Sequence, residues 1–259
     1  MKPVKFEIKK FGIANLSVIP IRAAASDESE IVTQLLFGDL VEVLEKGEPW
    51  IKVALQSETY TGWMDFKQLS YLDQEEFETL LHAPTTYLMD PLLPITGPRG
   101  RQNIMLGSAI RNLKANEIRY GNEIYTLEQL PNQLPLNTIQ IAEAYLNTPY
   151  LWGGKSIFGI DCSGLIQNVF KVQGKLLPRD ASEQVHKGTE VHFSDRQPGD
   201  VPFFVNDKGN VHHVGILTEK DTIVHAAGCV RKDSFDDQGI FRTDLDRYTH
   251  HFYAIRRYL

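Results

Sequence analysis

The 259-residue chain exceeds the usual size of a single core and is expected to divide into two or three domains. Its 42% hydrophobic and 23% charged residues describe an ordinary globular protein, not a disordered or fibrous one. A net charge of -6 without a lysine/arginine run argues against an electrostatic grip on nucleic acid or anionic lipid, and no stretch reaches the roughly 18 apolar residues of a membrane span.

The opening residues lack the continuous apolar segment of a secretory leader. The expected compartment is therefore the cytoplasm, or the periplasm if a leader has been removed, and Cys162 and Cys229 are expected to be reduced.

From Asn15 to Tyr71, "LSVIPI", "IVTQLLF", "LVEVLEK", "WIKVAL" and "YTGWM" alternate with glycine- and proline-bearing turns, the pattern of a small all-β barrel. Residues 73–83 predict a short linking helix. Residues 84–134 repeat the β style more loosely, and "PNQLPLN" reads as a boundary. A helix then starts at an Asn137 or Thr138 cap, followed by the loop "TPYLWGGKSIFGI". A second helix is predicted from about Asp161 to Gln173, closed by Gly174, with Leu165, Ile166, Val169 and Phe170 on one stripe. "DVPFFV", "HHVGIL", "DTIVHAA" and "HFYAIRRYL" are strands, Pro202 being confined to the first residues of its strand or to an edge. The C-terminal part is thus α+β. The expected domains are 1–73 and 74–134, both small and all-β, and 135–259.

Cys162 falls in the first turn of its helix, where unpaired N–H groups and the dipole favour a thiolate and lower a thiol pKa from about 8.5. A lone cysteine is most often a small buried hydrophobe. The strand pair that follows points elsewhere. With a turn at Thr218, Glu219 and Lys220, His213 and His225 face each other across the hairpin, their Cβ atoms about 5 Å apart. One imidazole then fixes the tautomer of the other. Cys162 would attack a carbonyl carbon, His213 would act as base and then acid, and His225 would orient His213. Periodicity alone does not separate His212 from His213; the hairpin pairing selects His213.

His186, His192, His250 and His251 lie in polar surroundings and are read as solvated surface groups. A zinc site from Cys162, Cys229, His213 and His225 is disfavoured because no close C-x-x-C or H-x-x-x-H pair occurs. No metal or other cofactor is expected.

Taken in order, "YLWGG", "DCSGL", "PRDASEQ", "QPGD", "HHVGI" and "VHAA" resemble the NlpC-type papain-like cysteine peptidases, which cut bacterial cell-wall peptides after γ-D-glutamate. The resemblance covers residues 138–259. It implies a papain-like catalytic domain with Cys162 as nucleophile, His213 as base, His225 as third polar residue and Tyr150 as a contributor to the oxyanion site. The N-terminal half resembles bacterial SH3-type modules, here two.

The whole is similar to γ-D-glutamyl-L-diamino acid endopeptidases specific for a free N-terminal L-alanine. By that resemblance Asp180, Glu30 and Tyr60 would hold the substrate ammonium, Ser163 would bond its backbone, and Asp161 and Trp152 would complete the substrate-binding set. The implied substrate is a murein tripeptide or tetrapeptide with a free L-Ala amino terminus, and the enzyme is expected to be a monomer. Ala181 stands where relatives often carry serine or threonine, so one substrate hydrogen bond is expected to be missing. Two other readings keep the same sequence: a wall-fragment binding protein, disfavoured by the presence of all three catalytic residue types, and a thiol amidase or acyltransferase on the same scaffold.

Overall fold

The computed structural model describes residues 8–56, 60–132 and 136–259. The chain divides into two compact units, 1–132 and 133–259. The stretch "PNQLPLN" spans that division, its residues 133–135 lying outside the described ones. Among the described residues no helix is long and apolar enough to cross a membrane.

In the first unit, β1 (Phe11–Ala14), β2 (Val18–Arg22), β3 (Ile31–Leu36), β4 (Leu40–Glu45), β5 (Trp50–Leu55), β6 (Thr61–Asp65) and β7 (Leu69–Leu72) form one antiparallel sheet, ordered β3-β2-β6-β5-β4-β1-β7. Period-2 burial drives it: β5 turns Ile51, Val53 and Leu55 inward, where they meet Ile19, Ile21, Leu35, Val41 and Met64. Helix α1 (Gln74–His82) starts at a capping box in which Asp73 accepts from Glu76 N and Glu76 accepts from Asp73 N.

The chain continues through β8 (Thr85–Tyr87), β9 (Leu92–Gly97), β10 (Gly100–Met105), β11 (Ala109–Arg111), β12 (Glu117–Tyr120) and β13 (Glu123–Leu127). These make a four-stranded sheet, β10-β9-β13-β12, and a separate pair, β11-β8. One apolar cluster joins Phe37 and Leu72 of the first module to Phe77 and Leu80 of α1 and to Leu93, Ile95, Ile104, Tyr120 and Tyr125 of the second. The two β modules therefore share a core.

The second unit opens with α2 (Thr138–Glu143), capped by Asn137, and the short hairpin β14 (Lys155–Ser156) and β15 (Gly159–Ile160). Then come α3 (Cys162–Val172), α4 (Ala181–Gln184), β16 (Thr189–Val191), β17 (Val201–Val205), β18 (Val211–Glu219), β19 (Thr222–Ala227), β20 (Cys229–Phe235), β21 (Gly239–Arg242) and β22 (Arg247–Arg257). The antiparallel sheet runs β16-β22-β17-β18-β19-β20-β21, and β21 also pairs with β22, so β17 to β22 close into a barrel. Closure leaves these strands no free edge. Phe204, Leu217, Ile223, Phe235, Ile240 and Ile255 fill its core. Pro202 pairs only toward β22, because the β18 ladder begins at Phe203. All eleven residues of α3 are buried, and the helix packs on α2, β18 and β19.

Candidate active site

Asp161 starts α3, and its carboxylate is fully engaged. Oδ1 accepts from Gly164 N at 2.7 Å, Ser163 Oγ at 3.4 Å and Arg179 at 3.0 Å; Oδ2 accepts from Gly153 N at 2.9 Å and Arg179 at 2.5 Å. One buried ion pair thus ties the glycine loop, the helix start and the Arg179 loop together. Arg179 also donates to Ser163 Oγ at 2.8 Å. Asp161 and Ser163 are thereby bound up in positioning the helix start.

Cys162 follows, 7% exposed, its sulfur accepting from the N–H groups of Val214 and Ser163. Val214 is the neighbour of His213 on β18, so the thiol lies beside the strand that carries that imidazole. The helix-start expectation for its acidity is corrected here. Burial, then the Asp161 charge, pushes the thiol up to about 12, outweighing Val214 N–H, Arg179 and Ser163 N–H. The resting sulfur is a thiol, which needs a base to become a nucleophile.

The expected opposition of His213 and His225 is also corrected. The β18–β19 turn has two residues, Lys220 and Asp221, and a bulge lies between Leu217 and Glu219, so His225 stands opposite Gly215. His213 is the diagonal neighbour. The imidazoles still meet across this diagonal, His213 Nε2 to His225 Nδ1 at 2.8 Å.

Sequence reasoning missed the next link. His225 Nε2 lies 2.8 Å from Asp233 Oδ2, and Arg231 grips Asp233 through Nε at 2.6 Å and a terminal nitrogen at 2.8 Å. Asp244 in turn bridges Arg231 and Arg242. Burial opposes ionisation of Asp233, but the hydrogen bonds from His225 and Arg231 prevail and hold it below the usual carboxylate range. An ionised Asp233 accepts a hydrogen bond from His225 Nε2–H, leaving Nδ1 to accept from His213 Nε2–H. His213 Nδ1 then keeps its lone pair. Burial lowers both imidazoles, so each rests neutral. The signal was present in "VHAAGCVRKDSF": a turn at Gly228 sets Arg231 opposite His225, with Asp233 one step diagonal.

His186, His192 and His251 are exposed, as expected, but His250 is not a solvated surface group. It is half-buried, and its ring stacks on that of His213 at 4.0 Å with the planes 26° apart. Nitrogens of His213, His225 and His250 lie within 4.8 Å of one another. Stacked rings send their in-plane lone pairs side by side, and His213 and His225 already spend a nitrogen on each other. The trio is therefore poorly aimed for a metal.

Tyr150 bonds Gly228 O through its N–H at 2.9 Å. Burial, then Cys162 and Asp161, raises its phenol, so it stays a donor at neutral pH near the sulfur. Trp152 is 61% exposed, and Asp180 is half-buried at the start of α4. Glu30 and Tyr60 belong to the first unit: Glu30 is exposed before the edge strand β3, whereas Tyr60 precedes β6, which is interior, between β2 and β5. Cys229 is a free thiol at the start of β20.

A thiol at a helix start, set against an antiparallel barrel that offers an imidazole backed by a second imidazole and a carboxylate, defines a thiol-dependent hydrolase of papain-like layout. Comparison with known proteins narrows the class. Residues 147–246 match the NlpC/P60 family and residues 21–69 the bacterial dipeptidyl-peptidase Sh3 domain. The chain is 28% identical over 263 residues to a gamma-D-glutamyl-L-lysine dipeptidyl-peptidase of Bacillus cereus, covering 90% of this chain and 77% of that one. It is 29% identical over 231 residues to the Bacillus subtilis protein of the same name, covering 79% and 75%. A crystal structure of an NlpC/P60 family protein from Bacillus cereus shares the fold, with a TM-score of 0.79 at 22% identity over 96% of this chain and 99% of that one. This protein is a cysteine peptidase carrying an NlpC/P60 domain behind an SH3-type domain.

Proposed function

We propose that the protein hydrolyses the bond between γ-D-glutamate and the following L-diamino acid in cell-wall peptides whose L-alanine amino group is free. Cys162 Sγ attacks the carbonyl carbon as its proton passes to His213 Nδ1. That proton then goes to the leaving amine, and water releases the dipeptide from the thioester. Tyr150 and the Cys162 N–H receive the oxyanion. Asp180 meets the ammonium, since an unpaired buried ammonium is costly. Trp152 lines the substrate path, and Asp161 and Ser163 act on it only by holding the start of α3. Residues 74–134 are read as a second SH3-type module, and the enzyme as a monomer of the cytoplasm, or of the periplasm if exported.

The observation that carries the chemistry is the unbroken hydrogen-bonded run Asp233–His225–His213, ending on the strand whose Val214 N–H donates to the Cys162 sulfur. The substrate class is supported by the relatives named gamma-D-glutamyl-L-lysine dipeptidyl-peptidase. The test is release of L-Ala-γ-D-Glu from L-Ala-γ-D-Glu-L-Lys and from its meso-diaminopimelate counterpart. Cys162→Ala should abolish it with the circular dichroism spectrum unchanged, and N-acetylated peptides should be poor substrates. Turnover by Cys162→Ala, or equal rates on free and blocked peptides, would contradict the proposal.

A further inference from the structure

Strand β22 supplies a histidine that the relay does not need for its hydrogen bonds. The His250 ring lies over one face of His213 at 4.0 Å. It meets His225 edge-on at 5.6 Å and 83°, and the His212 ring lies beside the pair, 5.9 Å from His250 with the planes 20° apart and 6.4 Å from His213. Its Nδ1 is 2.9 Å from Thr249 Oγ1, which fixes the ring from its own strand.

The backbone is held as tightly. His250 pairs with Ile240 of β21, and the adjoining Gly239 has φ +142; a Cβ there would fall 1.8 Å from His250 O. Only glycine fits that approach. Phe204 touches both rings, at 5.8 Å from His213 and 6.0 Å from His250, and stands opposite His213 in the β17–β18 ladder.

We propose that His250 is a positioning residue for the general base, covering one face of the His213 ring, holding it in the plane of its bond to His225 and keeping water from it. This rests on the reading of His213 as base. His213 has an anchor at Nε2 alone among its described hydrogen bonds, so rotation about that contact would change where Nδ1, the proposed proton acceptor, points. A ring stacked face to face opposes that rotation without competing for either nitrogen.

The cover must also be uncharged, because a second cation on the ring face would resist protonation of His213 during the reaction. Burial, then His225, His212 and Arg242, brings His250 down to about 3, against the opposing pull of Asp233, so it stays neutral across the working pH range.

The experiment compares His250→Ala and His250→Phe for kcat, KM and the pH profile of kcat/KM on L-Ala-γ-D-Glu-L-Lys. Rates are normalised to the fraction of Cys162 that iodoacetamide titrates. His250→Ala should lose about three- to tenfold in kcat with KM within about twofold, the scale of one aromatic contact. Its acid limb should move to higher pH, since water reaching His213 relieves the burial that depresses that imidazole. His250→Phe, which restores a ring, should keep kcat within about twofold and the acid limb in place.

Parental kcat and profile in His250→Ala, or equal loss in Ala and Phe with no movement of the limb, would overturn the proposal. His250→Leu, with the outcomes expected of Ala, serves if His250→Ala does not fold. His213→Ala is run alongside: turnover there refutes the base assignment itself, whereas its loss beside a parental His250→Ala refutes only the role of His250.

Discussion

Replacing Asp233 by asparagine tests the relay at its far end, with no change to any group proposed to touch substrate. Asp233 Oδ2 accepts both from His225 at 2.8 Å and from Arg231 Nε at 2.6 Å, and Oδ1 accepts from Arg231 at 2.8 Å. An amide has a single acceptor oxygen, so it cannot replace the two carboxylate oxygens that meet these three donors. If its oxygen stays on His225, its NH₂ opposes the guanidinium. If it turns, NH₂ faces His225 Nε2 and inverts the tautomer, so that His213 Nε2 must accept and Nδ1 carries the proton.

A hydrogen bond to a charged group is worth about 1.5–3 kcal/mol, which corresponds to roughly 10- to 150-fold in rate. Asp233→Asn should lose kcat in that range with KM nearly unchanged, measured by dipeptide release. Cys162 alkylation by iodoacetamide should slow in parallel, because the same base deprotonates the thiol. A kcat within twofold of the parent would refute the claim that Asp233 sets the tautomer.

Arg179→Ala leaves Asp161 as an uncompensated buried charge and should lower stability by about 3–5 kcal/mol in urea titration. Gly215→Ala puts a Cβ 2.6 Å from Ile223 Cδ1 and 2.9 Å from Val224 O; a loss of about 1–3 kcal/mol is expected by calorimetry, with a lengthened His213–His225 contact. With the thiol held up to about 12, His213→Ala should leave Cys162 almost inert to iodoacetamide at pH 7, its rate rising about tenfold per pH unit.

The buried histidines also make stability depend on pH. Their folded pKa values lie below the unfolded value of about 6.5, so below that pH the unfolded chain binds protons the native state refuses. Stability should therefore fall as pH drops below about 6.5, by up to about 1.4 kcal/mol per pH unit for each histidine until its lower folded value is reached. The Asp233 contribution, from a depressed carboxylate, is present above about pH 4 and disappears only as pH falls through its lower folded value. Urea midpoints measured from pH 7.5 to 4 check the histidine window, and a flat profile would contradict it.

The amino-acid sequence by itself determined the local pieces, because their causes are local. Asp73 with Glu76, the Asp161 cap, Gly174 after α3 and the alternation in "WIKVAL" act within a turn or a strand. The same range sufficed to bring Cys162, His213 and His225 forward, since a helix start and a single hairpin are short-range features. Tertiary structure decided what depends on register, closure and burial. A bulge after Leu217 moved His225 opposite Gly215, and the pairing of β21 with β22 carried His250, some forty residues along the chain, onto the face of His213. Packing of α3 against the barrel buried the Cys162 sulfur. Desolvation then overrode the helix dipole, an outcome that no stretch of neighbouring residues encodes.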